Sequence, residues 1–107
     1  MLSIDQVKQI AEYMGLPCKI DDEYGVIANF VDRVGIYNPV KSDELSCQVF
    51  KALVDECKKR GFRIEIEGGK IIIYRPCNGN GMSSIFNICE FNNESICLAF
   101  LKVMESI

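Results

Sequence analysis

The sequence predicts an α/β sandwich of the α+β type: a mainly antiparallel sheet of about four strands packed with three helices. Three observations carry that expectation. The stretch from Tyr37 to Tyr74 reads as a turn, a capped helix and a tight hairpin in succession. One stretch at each end of the chain repeats apolar residues at helical spacing. The strands after Arg60 are joined by turns too short for a crossover, so neighbours must pair antiparallel. With 107 residues the chain has material for one domain, 1-107.

Apolar residues make up 49% of the chain and charged ones 25%, an ordinary globular balance. A net charge of −3 withholds the basic footprint of a nucleic-acid binder, so no nucleic-acid partner is expected. No stretch approaches the roughly 20 apolar residues that span a bilayer. The N-terminus lacks a basic region followed by an apolar run. A cytoplasmic protein without membrane contact is therefore expected.

The first helix is announced by Ser3, which caps its amides while Gln6 reciprocates three residues on. Ile4, Val7, Ile10, Ala11 and Met14 form one stripe, which Gly15 and Pro17 end. Cys18 to Asp22 reads as a connector. Tyr24 to Val31 is β-rich, and Val34 to Tyr37 is either its continuation or a second short strand. Tyr37-Asn38-Pro39 is a turn, after which Ser42-Asp43-Glu44 opens a helix from about Asp43 to Arg60. Leu45, Val49, Phe50, Ala52, Leu53, Val54 and Cys57 cover more than a stripe, so this helix is expected to be the most buried. Lys58, Lys59 and Arg60 complement its C-terminal dipole before Gly61 stops it.

Gly68-Gly69 as a two-residue turn fixes a hairpin register: Glu67 against Lys70, Ile66 against Ile71, Glu65 against Ile72, Ile64 against Ile73, and Arg63 against Tyr74. One face is then Phe62, Ile64, Ile66, Ile71 and Ile73, which is core. The other carries Arg63, Glu65, Glu67 and Lys70 with Ile72 and Tyr74 among them. Pro76 to Gly81 is a loop, and Met82 to Phe91 is a strand with both faces mixed. Asn92-Asn93 caps the last helix, whose stripe is Ile96, Phe100, Val103 and Ile107.

Tyr37-Asn38-Pro39, the capped helix ending at Gly61, the hairpin, and Ile96-Cys97-Leu98-Ala99-Phe100-Leu101-Lys102 together resemble the phage ABA sandwich domain, a family of small bacteriophage and prophage proteins. The resemblance spans about Ile36 to Ile107. It implies helices on both faces of a sheet, a phage or prophage gene, and an uncharacterised accessory role. It implies no catalytic residues.

A search of the residues for chemistry is consistent with a non-enzyme. The chain has no histidine to act as a base for Ser83 or Ser84. Asp21-Asp22-Glu23 reads as a solvated loop, and Glu65 and Glu67 as part of an ion-pair lattice with Arg63 and Lys70. Six cysteines raise the question of metal or disulfides, but the nearest two, Cys89 and Cys97, stand eight positions apart. Cys57, Cys97 and Cys89 are expected to pack as small hydrophobes, and Cys77 to lie exposed in its loop. No metal and no cofactor are expected.

Two functional expectations follow. The first is binding of a host or phage protein with self-association through the sheet or the outer helices, the candidate contact being the apolar centre and polar rim of the hairpin, Arg63, Glu65, Ile72 and Tyr74. The alternative is sequestration of a small anionic ligand such as a nucleotide signal of bacterial defence. Its site would be Arg75, Asn78, Gly79 and Asn80, where glycines let backbone amides converge.

Overall fold

The computed structural model describes every residue except Met1, Asn78, Asn80 and Ile107. In chain order the elements are α1 (Ile4–Tyr13), β1 (Cys18–Asp21), β2 (Gly25–Asn29), β3 (Val34–Ile36), α2 (Asp43–Arg60), β4 (Arg63–Glu67), β5 (Lys70–Pro76), β6 (Met82–Ile88) and α3 (Asn93–Glu105). The strands form two separate antiparallel sheets of three, β1-β2-β3 and β4-β5-β6. The expected single sheet of about four strands is thereby corrected. The first sheet exists because Cys18 to Asp21 is a strand rather than a connector, and because Val34–Ile36 turns back on β2 rather than extending it.

The helix ends are set as their residues dictate. Ser3 and Gln6 form a reciprocal capping box, Ser42 Oγ accepts from the Leu45 amide, and Asn92 and Ser95 form a second box. Gly61, at φ 71°, ends α2 in the left-handed region, and the Phe62 amide reaches back to the Cys57 carbonyl at 2.8 Å.

The helices lie between the sheets. As backbone neighbours, β1 and β2 meet α1, while β4, β5 and β6 meet α2 and α3. α3 also touches α1, so contact runs from one sheet through the helical layer to the other along a molecule of 48 × 26 × 22 Å. This order differs from a sheet with a helix layer on each face. α3 is also the most buried helix, with seven buried residues against five in the longer α2. A helix touched from several sides hides more of its circumference than one whose far side meets water.

α2 and α3 run parallel. The Asn93 side-chain amide donates to the Val40 carbonyl at 3.1 Å and the Asp43 carboxylate at 2.9 Å, joining the two N-terminal ends. At the other end Arg60 Nη1 donates to the carbonyls of Val103 (2.6 Å) and Ser106, while Arg60 Nε meets Glu56 at 3.2 Å. The three strands of the second sheet carry the chain back, so both helices can run the same way.

In that second sheet the hairpin register is the expected one in all five pairs, from Glu67–Lys70 to Arg63–Tyr74. Gly68 and Gly69, at φ 59° and 79°, supply the two left-handed positions of a type I′ turn. Ile71 and Ile73 are wholly buried, whereas Ile66, beside the turn, is 43% exposed rather than core. β6 ends at Ile88, short of the expected Phe91, and Cys89 is an exposed thiol rather than a strand hydrophobe. Ile73 pairs with Phe86 and Tyr74 with Ser84, leaving Ile85 as the extra residue of a bulge. The bulge breaks the two-residue period, so Ile85 and Phe86 both pack on the core.

Candidate functional site

The candidate site is the face of the β1-β2-β3 sheet turned away from α1, with the concavities at its edge. The β1-β2 turn builds one end of it. Asp21 Oδ1 accepts from the amides of Glu23 (2.8 Å) and Tyr24 (3.0 Å), which folds Asp21-Asp22-Glu23-Tyr24 over on itself. Those amide bonds, from Tyr24 and then Glu23, hold the Asp21 carboxyl below the usual carboxylate range. Gly25, at φ 85°, completes the turn in a conformation that a Cβ would strain.

The strand period then sorts the side chains. Val26 and Ala28 of β2 point inward and are buried, so Ile27 points outward with its partners Lys19 and Ile36. Asn29 and Val34 pair on the same outer face. Tyr24 is 55% exposed, Val34 66% and Ile36 52%. Tyr24, Ile27, Val34, Gly35 and Ile36 line a shallow apolar concavity of about 240 Å³. No helix or strand covers this face among the described residues.

Tyr24 and Ile36 also edge two other concavities. One, about 340 Å³, runs under the start of α1 and is walled by Leu2, Ile4, Val7, Val26 and Val40. The other, about 490 Å³, brings together Glu23, Arg33, Lys41 and Glu44. None of these four is in an ion pair among the described residues. Arg33 lies instead over the Phe30 ring, 4.5 Å from its centroid.

The residues singled out from the sequence fall elsewhere. Arg63, Glu65, Ile72 and Tyr74 do share one hairpin face, and Ile72 and Tyr74 are half-buried there. Arg63 and Glu65 form an ion pair at 2.7 Å, one pair of the expected lattice, while Glu67 and Lys70 are in no ion pair among the described residues. Arg75 and Gly79 are exposed beside the loop closed by the Cys77 amide on the Gly81 carbonyl at 3.0 Å. Asn78 and Asn80 lie outside the described residues. Among the described residues no group of three or more His, Cys, Asp or Glu side chains could hold a metal ion. Among the described residues no helix is long and apolar enough to cross a membrane.

The outer face of the first sheet is not legible in the sequence, because the short run from Cys18 to Asp22 reads as a connector. A signal was present: Asp21 to Gly25 is an Asx-type turn ending in glycine, and Val34-Gly35-Ile36 alternates apolar side chains on one face. Comparison with protein-family models, with curated proteins and with solved structures returns no match.

Proposed function

We propose that this protein is a non-enzymatic accessory protein of phage or prophage type that acts in the bacterial cytoplasm by binding protein, itself included. The observation that supports this reading is the uncovered apolar face of Tyr24, Ile27, Val34 and Ile36, edged by charged side chains that have no ion-pair partner among the described residues. Scattered exposed apolar residues are ordinary, whereas a contiguous apolar surface with a polar rim is how protein contacts are built. The phage assignment rests on the sequence resemblance.

A thermal-shift panel of nucleotides and other small anions tests this against ligand sequestration. A tight ligand at a hundredfold excess over its Kd would stabilise the fold by about 2.7 kcal/mol, a shift on the order of 10 °C in a domain of this size. The panel is expected to be flat. A concentration-dependent shift abolished by Arg75→Ala would overturn protein binding in favour of an anion site at the Arg75 loop.

A further inference from the structure

We infer that the open edge of β3 is the docking site for an extended segment of another protein, which joins the first sheet as a fourth strand. The inference rests on the protein-binding reading and names the form its partner takes. Two hydrogen bonds flanking β3 fix the phase of its ladder with β2. The Tyr37 amide donates to the Val26 carbonyl at 2.8 Å, and the Phe30 amide to the Arg33 carbonyl at 2.7 Å. In an antiparallel pair, residues that exchange such bonds alternate with residues whose main-chain groups face away. Arg33, Gly35 and Tyr37 therefore turn their amides and carbonyls to β2, and Val34 and Ile36 turn theirs outward. Among the described residues β3 pairs with β2 alone and meets no other element as a backbone neighbour. No hydrogen bond within the described residues reaches the outward groups of Val34 and Ile36.

Sheets ordinarily blunt an unpaired edge with charge, a bulge or a covering element. The other three edges of this chain are blunted in these ways. β1 carries Lys19 and Asp21 and has α1 beside it, and β4 carries Arg63, Glu65 and Glu67 and meets α2. β6 is interrupted by the bulge at Ile85 and meets α3. β3 is Val34-Gly35-Ile36, without a charge, a proline or a bulge. Its shortness leaves two amides and two carbonyls for a partner, so side chains must add to the hold. In strand addition the main chain supplies affinity and pockets for alternate side chains supply specificity. Side chains of an added strand that point to the outer face fall beside Val34 and Ile36, at the apolar concavity of about 240 Å³. The concavity of about 490 Å³ is lined by Arg33 and Ile36 from this edge and by Ser42, Glu44 and Leu45 from the start of α2. Its two acids and two bases favour neither sign, and Lys19, on the outer face, lies two strands away from β3. The partner is thus an extended segment with apolar side chains at alternate positions, selected by its backbone and those side chains rather than by charge.

Panning the whole protein against a yeast-displayed library of random linear peptides tests the proposal. Enriched peptides are expected to carry apolar residues at every second position. Added at tenfold excess over its Kd, such a peptide should slow hydrogen exchange of the Val34 and Ile36 amides about tenfold. Val34→Pro and Ile36→Pro each remove one outward amide and no ladder bond, a placement that an edge strand tolerates. Each should keep the fold and weaken the peptide about tenfold. Methylating the peptide's backbone nitrogens at alternate positions should abolish binding in one phase and spare it in the other. Should a proline variant unfold, the methylation series on wild type decides alone, and equal effects in both phases overturn the proposal. It is also overturned by a library that yields no binder, or by binders that hold Val34→Pro as tightly as wild type. A dimer in sedimentation velocity that Val34→Pro dissolves, with no peptide enriched, would give the edge to a second copy instead. Each of these outcomes leaves protein binding through another surface standing. Failure of the protein-binding reading itself would show as the nucleotide shift at the Arg75 loop, which no peptide result produces.

Discussion

The hydroxyl of Tyr37 is buried and has no protein hydrogen-bond partner among the described residues, as does that of Ser46. Burial drives the phenol well above its ordinary ionisation range, with the Cys97 and Cys18 thiols adding to the shift. Removing a buried polar group that makes no bond should be neutral or favourable, whereas removing a partnered one is costly. Tyr37→Phe is therefore expected to raise stability by up to about 1 kcal/mol, measured by urea denaturation. A loss of similar size would mean that the hydroxyl is bonded after all. The thiols divide by the same criterion. Cys47, Cys77 and Cys89 are exposed and should react at once with a thiol reagent, while buried Cys57 and Cys97 should wait for unfolding. Burial pushes Cys57 up to about 11, with Arg60 opposing, and Cys97 up to about 12. An unfolded thiol ionises near 8.5, so above that pH the folded state retains protons that the unfolded state releases. The contribution of these thiols is intact below that pH and is lost as pH rises through the alkaline range. Urea midpoints followed into that range should fall, and Cys97→Ala, though less stable at neutral pH, should show a shallower decline.

At the scale of elements, the parallel pairing of α2 and α3 sets two negative dipole ends side by side. Arg60 is the residue that relieves this: one guanidinium nitrogen serves two carbonyls at the end of α3 while another meets Glu56. The basic cluster Lys58-Lys59-Arg60 thus contains one residue aimed at a neighbouring helix and two exposed ones. Arg60→Met keeps the apolar stem and removes the charge. It should cost about 1.5–3 kcal/mol in chemical denaturation, the range for hydrogen bonds to charged groups. Lys59→Met, at an exposed position, should cost less than about 0.5 kcal/mol.

Over the whole molecule, cohesion is uneven. Among the described residues the first sheet meets only α1 as a backbone neighbour, through β1 and β2, whereas the second is backed by both α2 and α3. Local opening follows from few buried contacts and a solvated face. Hydrogen exchange is expected to be faster in β1, β2 and β3 than at Ile71 and Ile73 in β5, and strong protection of β3 would contradict this. The same unevenness explains what sequence reading reached. The caps at Ser3, Ser42 and Asn92, the stop at Gly61 and the five-pair hairpin register depend on residues within a few positions of one another. The bulge at Ile85, the exposure of Ile66 and the pairing of Cys18–Asp21 depend on partners that no local pattern names. The candidate face was lost with that last strand.

By itself the sequence determined where helices start and stop and how β4 pairs with β5, because capping bonds and a two-glycine turn close over distances that the chain fixes covalently. Only the tertiary structure decided that the strands divide into two sheets with the helices between them, and that α3, not α2, sits innermost. Those outcomes turn on which apolar faces find one another, and an apolar surface has no directional bond with which to mark its partner in advance.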